Sequence, residues 1–144
     1  MKRTTIVLVL LAAGTALFAQ NYAGIPDRFF SYIEKGETDE AINFLYSTND
    51  WVSAGSDQVV NLKAQLSQLK ALAGDYRYRE LLVEEKAGTR YAHLIYLVGY
   101  DRQPVRFELR FYKPGNQWRF QGVSFDTSIT DEIEKLANQK LLGR

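Results

Sequence analysis

His93 is the only imidazole among 144 residues, and there is no cysteine. Those two counts exclude a multi-histidine metal centre, a thiolate zinc site, a cysteine nucleophile and a disulfide framework. No G-x-S-x-G, phosphate-loop, H-E-x-x-H or EF-hand spacing occurs either. What is left for acid–base or binding work is one His, a set of tyrosines, and carboxylates and guanidinium groups. Eighteen Lys and Arg stand against 17 acids, a net charge of +1, so no basic surplus invites nucleic acid. No metal site and no cofactor is assigned.

Arg77 and Arg79 are the first binding candidates. Alternation puts both on the same strand face as Leu81 and Val83, a face that must be buried, and a charge there is costly unless paired or opening to water. Grouped with Tyr96, Tyr100 and Trp51 around a mouth, they could grip the carboxylate or phosphate of a small amphipathic or anionic ligand. The alternative is a strand that begins beyond the core, or a bulge that turns both arginines outward. His93 falls on the opposite face with no carboxylate directly across from it, so it lacks the orienting partner of a general base. Glu80, Glu84 and Glu108 also fall on that outer side. Glu85 lies near a turn opposite Arg90, and Asp101, Asp126 and Asp131 belong to turns or a helix start. With no acid on the inner side, no catalytic residue is assigned, and a non-catalytic module is favoured over an enzyme.

These side chains must be positioned by a chain that divides simply. Lys2 and Arg3, the apolar run from Ile6 to Ala13, and Ala16-Leu17-Phe18-Ala19 follow the order of a secretory signal peptide, with cleavage expected after Ala19. An apolar stretch of about 14 residues is too short for a bilayer that needs ~20 helical residues. No membrane attachment is therefore expected after cleavage. Removing residues 1–19 takes two basic groups and no acid, which leaves 16 against 17 and a net charge of −1. Absence of cysteine fits export to a bacterial periplasm, or secretion, without a disulfide requirement. Residues 20–144 are read as one domain.

Apolar residues recur at helical spacing at Ile25, Phe29, Phe30 and Ile33, with Pro26 near the start and Gly36 at the stop. A second helix begins at Thr38 and carries Ala41, Ile42, Leu45 and Tyr46. A third carries Val59, Leu62, Leu66, Leu69 and Ala73 between Ser56 and Gly74. From Tyr76 the period becomes two. Strands are expected near 76–86, 90–100, 104–113 and 116–125, followed by a helix over roughly 130–142. The fold class is α+β, with N-terminal helices packed on a curved four-stranded antiparallel sheet and a C-terminal helix.

Two-residue turns at Ala87-Gly88 and Pro114-Gly115, with a tight connection around 101–104, set a trial register. It pairs Leu81 with Leu94, Val83 with Ala92, Arg79 with Tyr96, Leu94 with Phe111, and Phe111 with Trp118. The inner face then gathers Leu81, Val83, Leu94, Tyr96, Val98, Val105, Phe107, Leu109, Phe111, Trp118 and Phe120. The outer face carries Tyr78, Leu82, His93, Ile95, Leu97, Arg110 and Tyr112, too apolar for a solvated surface and rich in the residue types of an interface. A homodimer or other protein partner through this face is the favoured reading. Cover by the last helix, or simple exposure, are the alternatives.

Phe29-Phe30 with Gly36, the third helix ending at Gly74-Asp75-Tyr76, and the string Phe111-Tyr112-Lys113-Pro114-Gly115-Asn116-Gln117-Trp118-Arg119-Phe120 resemble the NTF2-like (cystatin-like cone) superfamily in their order, over about residues 24–126. The resemblance implies a cone whose open end holds a ligand or an active site in some members, and an outer sheet face that commonly makes dimers. The helix after the last strand departs from the minimal plan. The resulting expectation is an exported non-catalytic binding or interaction module, using the cone mouth or the outer sheet face. The alternative is a small hydrolase or isomerase with a cavity Tyr and an acid. Intact mass of the protein exported by a bacterial host checks the leader: the mature chain is expected to begin at Gln20, and a retained Met1 would refute cleavage.

Overall fold

The computed structural model describes residues 22–143. The predicted leader lies outside the described residues. A single 3-10 turn at Tyr22–Gly24 leads into α1 (Ile25–Lys35), α2 (Thr38–Ser47) and α3 (Asp57–Ala73). Four antiparallel strands follow in sequence order, β1 (Tyr76–Ala87), β2 (Tyr91–Tyr100), β3 (Pro104–Tyr112) and β4 (Arg119–Asp126), and then α4 (Ile129–Leu141). The class is α+β: helices on one face of a curved meander, with a helix after it. Among the described residues no helix is long and apolar enough to cross a membrane.

The first helices form as their spacing predicts. Pro26 sits in the first turn of α1, where a missing N–H costs nothing, and Gly36 ends the helix at φ 75, a left-handed angle that glycine adopts without a Cβ clash. Phe29, Phe30 and Ile33 are buried, as are Ala41, Ile42, Leu45 and Tyr46 on α2 and Val59, Leu66, Leu69 and Ala73 on α3. These side chains meet the inner face of β2 and β3. Phe107 lies 6.1 Å from Phe29, 5.8 Å from Phe30 and 5.5 Å from Phe125 between ring centroids, and Phe30 meets Tyr96 edge-on at 4.8 Å. Phe120 packs against Tyr46. Asn49, the one buried polar residue among the described residues, donates to the Phe120 carbonyl at 2.9 Å while the Phe120 N–H donates to Thr48 Oγ1. The α2–α3 connection thereby satisfies both backbone groups of Phe120, beyond the last hydrogen-bonded neighbour of β4.

The register differs from the trial one at every hairpin, for reasons of loop length and bulges. The β1–β2 connection is three residues, with Gly88 at φ 61, and pairs Ala87 with Tyr91. An odd shift turns each side chain of 83–87 to the other face. Val83 therefore faces outward opposite Ile95, and Glu84 inward opposite Leu94. A bulge at Leu82 reverses the sense again, so Leu81 pairs with Tyr96 and Arg79 with Val98. Leu81 and Val83 do not join the core: they are 47% and 37% exposed, because this half of the edge strand runs past the helices. At β2–β3 the shift is even and the faces survive: Leu94 pairs with Leu109, Tyr96 with Phe107, and His93 with Arg110 rather than with Tyr112. The last hairpin is longer than its Pro114-Gly115 turn, so Phe111 opposes Phe120 and Trp118 precedes the strand. Beyond a bulge at Gln121 the inward residues become Val123 and Phe125, opposite Leu109 and Phe107. Arg90 does not pair with Glu85; its Nη1 donates to the carbonyls of Lys113, Pro114 and Gly115 and ties the two hairpin ends together.

Urea unfolding checks this division of the sheet. Phe107→Ala is expected to lower stability by about 3–5 kcal/mol, the cost of an aromatic removed from a packed core. Leu81→Ala is expected to cost less than about 1 kcal/mol. Comparable losses at the two positions would contradict the observed register.

Candidate functional site

The five side chains expected at a cone mouth are not brought together. Arg77 occupies a bulge between Tyr76 and Tyr78, points to solvent and donates from Nε to Asp101 Oδ1 at 2.5 Å, which holds the Asp101 carboxyl below its ordinary value. Arg79 does stay on the inner side, but its guanidinium lies 4.9 Å over the Phe30 ring and is neutralised by Asp27 at 2.5 Å. Tyr96 is buried against Phe30, and that burial raises its phenol to about 12 although Arg79 acts in the opposite direction. Tyr100 is buried beside Tyr76 and is also pushed up by burial. It borders a cleft of about 100 Å³ near Lys70 and Glu34 on one side and lines the groove under α4 on the other. Trp51 is 82% exposed on the α2–α3 connection. Phe29, Phe30, Phe107 and Phe111, each 0% exposed, pack the core beneath Arg79 and Tyr96. Arg79 therefore caps an aromatic core with a compensated charge.

One acid does lie on the inner side. The Tyr22 hydroxyl donates to Glu84 Oε1, and Tyr22 itself is stacked 5.2 Å from Phe111 and edge-on to Trp118 at 4.9 Å. Burial, reinforced by that carboxylate, drives the Tyr22 phenol up, while the hydrogen bond from Tyr22 holds the Glu84 carboxyl below its ordinary value despite some burial. The pair stabilises the carboxylate and suppresses the phenolate, which suits an anchor for the Tyr22–Gly24 turn rather than a proton donor poised for transfer. A three-residue loop in place of a two-residue turn would have located Glu84 from sequence.

The outer face does gather its predicted residues. Tyr78 lies across Gly99, where any Cβ would run into the ring, so glycine is required there by close approach. Leu82, Ile95, Leu97 and Tyr112 share that side of the sheet with His93 and Arg110. His93 has an orienting carboxylate after all: its Nε2 is 2.9 Å from Glu108 Oε2, a diagonal neighbour across the β2–β3 ladder. Glu108 also lies 3.4 Å from Arg106 and 3.9 Å from Arg110. Such a network fixes charges on the sheet surface.

Arg106 joins the sheet to α4. Its guanidinium donates to Asp126 from Nε and Nη2, at 3.1 and 3.0 Å, to Ser128 Oγ at 3.2 Å and to Glu132 at 2.8 Å. These hydrogen bonds, Asp126 first, raise the Arg106 value further, and Asp126 is held low by Ser128 and Arg106 against the opposing effect of its burial. Helix α4 consequently starts over the sheet and leaves a groove of about 640 Å³, lined by Tyr78, Leu82, Leu97, Pro104, Ile129 and Ile133. The sequence hinted at this only through Asp126-x-Ser128, an Asx-type lead into a helix. The pairing of Arg106 with Asp126 depends on the β3–β4 register. Among the described residues no cluster of three His, Asp or Glu side chains is arranged to hold a metal ion.

No protein-family model matches the chain, and comparison with curated proteins finds no match. Chemical titration addresses the one inward acid. A carboxyl held low in the folded state stabilises above its unfolded value, near 4.5, and that contribution is lost as pH falls through the folded value. Tyr22→Phe is expected to cost about 1 kcal/mol at pH 7, with the difference from wild type shrinking below about pH 4.5. A difference independent of pH would deny the Tyr22–Glu84 coupling.

Proposed function

We propose that this protein is an exported, non-catalytic interaction module of NTF2-like shape, whose working surface is the outer sheet face together with the groove beneath α4. The observation that carries this reading is the largely apolar groove, walled by the first three strands and α4, beside an α4 that has no buried residue. A volume of about 640 Å³ is in the range used for recognition. An exposed apolar area rimmed by arginines, acids and tyrosines has the make-up of a protein-binding surface.

The filled inner face supports this surface over a ligand held at the cone mouth. It also weighs against the hydrolase or isomerase alternative, which needs a cavity beside its Tyr and acid. The Tyr22–Glu84 pair has the right chemical types, but both groups are committed to each other. Bacterial export fits the leader-like first nineteen residues and the absence of cysteine.

In-cell photo-crosslinking tests the surface without assuming the partner. A photoreactive residue at Tyr112 or Leu82 is expected to give discrete protein adducts, and Ile95→Glu is expected to reduce them at least tenfold. The same probe at Gln68, on the exposed side of α3, serves as the control. No adduct from either outer-face position, or adducts indifferent to Ile95→Glu, would refute the proposed surface.

A further inference from the structure

Strand β4 is an edge of the sheet, and only the first part of its open side is bonded within the chain. Backbone groups alternate along an antiparallel strand, so each residue bonds to one neighbour or to the other. The Lys113 N–H donates to the Arg90 carbonyl, and the β2–β3 register continues from that end without a shift. Phe111, Leu109 and Phe107 therefore bond to β2, while Arg110, Glu108 and Arg106 bond to Gly122, Ser124 and Asp126 of β4. Phe120, Val123 and Phe125 are left with their N–H and C=O groups directed away from β3. Phe120 is satisfied there by Thr48 and Asn49. Among the described residues no backbone group bonds to the edge groups of Val123 and Phe125.

Val123 lies on one wall of a groove of about 440 Å³, and α3 supplies another through Gln58, Asn61, Leu62 and Gln65. Tyr46 of α2 completes the lining. The α3 positions follow the i, i+3, i+4, i+7 spacing of one helix face, so three carboxamides form a row. All three are exposed, and each can both donate and accept. Seven residues at ~1.5 Å rise set Gln65 about 10 Å from Gln58, the length of about three strand residues. None of these lining side chains is charged, although charged residues make up 24% of the chain.

We infer that the groove binds an uncharged, extended peptide segment of another protein, which adds to β4 as a fifth strand. This site goes beyond the outer sheet face, since it uses the sheet's edge and the helix side. The segment pairs with the N–H and C=O groups of Val123 and Phe125, a mode in which main-chain hydrogen bonds supply affinity. Gln58, Asn61 and Gln65 stand across the groove, where carboxamides match backbone donors and acceptors alike. A charged side chain among them would lose water and gain no counter-ion, so the segment is neutral there. Helix α3 also limits the site to one strand, which guards the edge against open-ended pairing.

Amide hydrogen exchange and peptide selection on the mature chain test this. In the free protein the Val123 and Phe125 amides are expected to exchange at least tenfold faster than that of Ser124. Short random peptides displayed on phage are expected to enrich for uncharged sequences on the immobilised chain. One enriched peptide, synthesised with blocked ends, is expected to slow exchange at Val123 and Phe125 at least tenfold. Methylating alternate backbone nitrogens of that peptide is expected to weaken it at least tenfold in one register and little in the other. Gln65→Glu and Asn61→Asp, both at exposed helix positions, are expected to weaken binding at least tenfold with circular dichroism unchanged. Ile95→Glu is expected to leave peptide binding as it is, so this site and the outer face stand or fall separately. Slow exchange at Val123 and Phe125 in a free monomer closes the edge and overturns the inference. The same protection at twice the chain mass overturns it in favour of a second copy. No enrichment, enrichment of charged sequences, or binding that ignores both α3 variants also overturns it.

Discussion

Aromatic rings from one helix and from neighbouring strands meet at Phe107, and the protein is organised around that meeting. Phe29 and Phe30 approach from α1, Phe125 from β4, and Tyr96 closes against Phe30. Edge-to-face and tilted arrangements let rings of this size fill a curved sheet without leaving a void. Filling leaves the inner side of the sheet occupied by the packed core itself. Arg79 then finds only a ring face and the Asp27 carboxylate, and Tyr96 and Tyr100 become structural phenols.

With the inner face committed, the outer face is where apolar area remains. Its charges are tied into fixed groups: Glu108 among His93, Arg106 and Arg110, and Arg106 again to Asp126 and Glu132. Arrangements of this kind give direction and register to a contact more than raw affinity. The same guanidinium that neutralises the end of β4 places α4 over the sheet, so one residue sets both the charge pattern and the groove. An amphipathic helix positioned in this way keeps its oily stripe available.

Strand alternation was legible from Tyr76 onward, and so were all four helices, because each rests on local spacing. Residues at the middle of the sheet kept their faces: Leu94, Tyr96, Val98, Phe107, Leu109 and Phe111 are buried, and Ile95, Leu97, Arg110 and Tyr112 lie outside. Failures cluster at loops and edges. One extra residue around Gly88 turned Val83 out and Glu84 in, and bulges at Leu82 and Gln121 changed the sense twice more. A bulge leaves little mark in a residue pattern, since it is selected by the fit of a bent strand to its neighbours.

By itself the sequence determined the α+β class, the order of elements, much of the aromatic core (Phe29, Phe30, Tyr96, Phe107, Phe111 and Phe120, but not Tyr22 or Phe125) and the unusual apolarity of the outer sheet side, all of which depend on periodicity along the chain. Tertiary structure decided which partners those residues meet: Glu84 with Tyr22, His93 with Glu108, Arg106 with Asp126 and Glu132, and the place of α4 above Leu97 and Tyr78. Partners across a sheet are fixed by loop length and strand bending, which act between segments far apart in the chain. A single added residue reverses a face while leaving the local pattern unchanged.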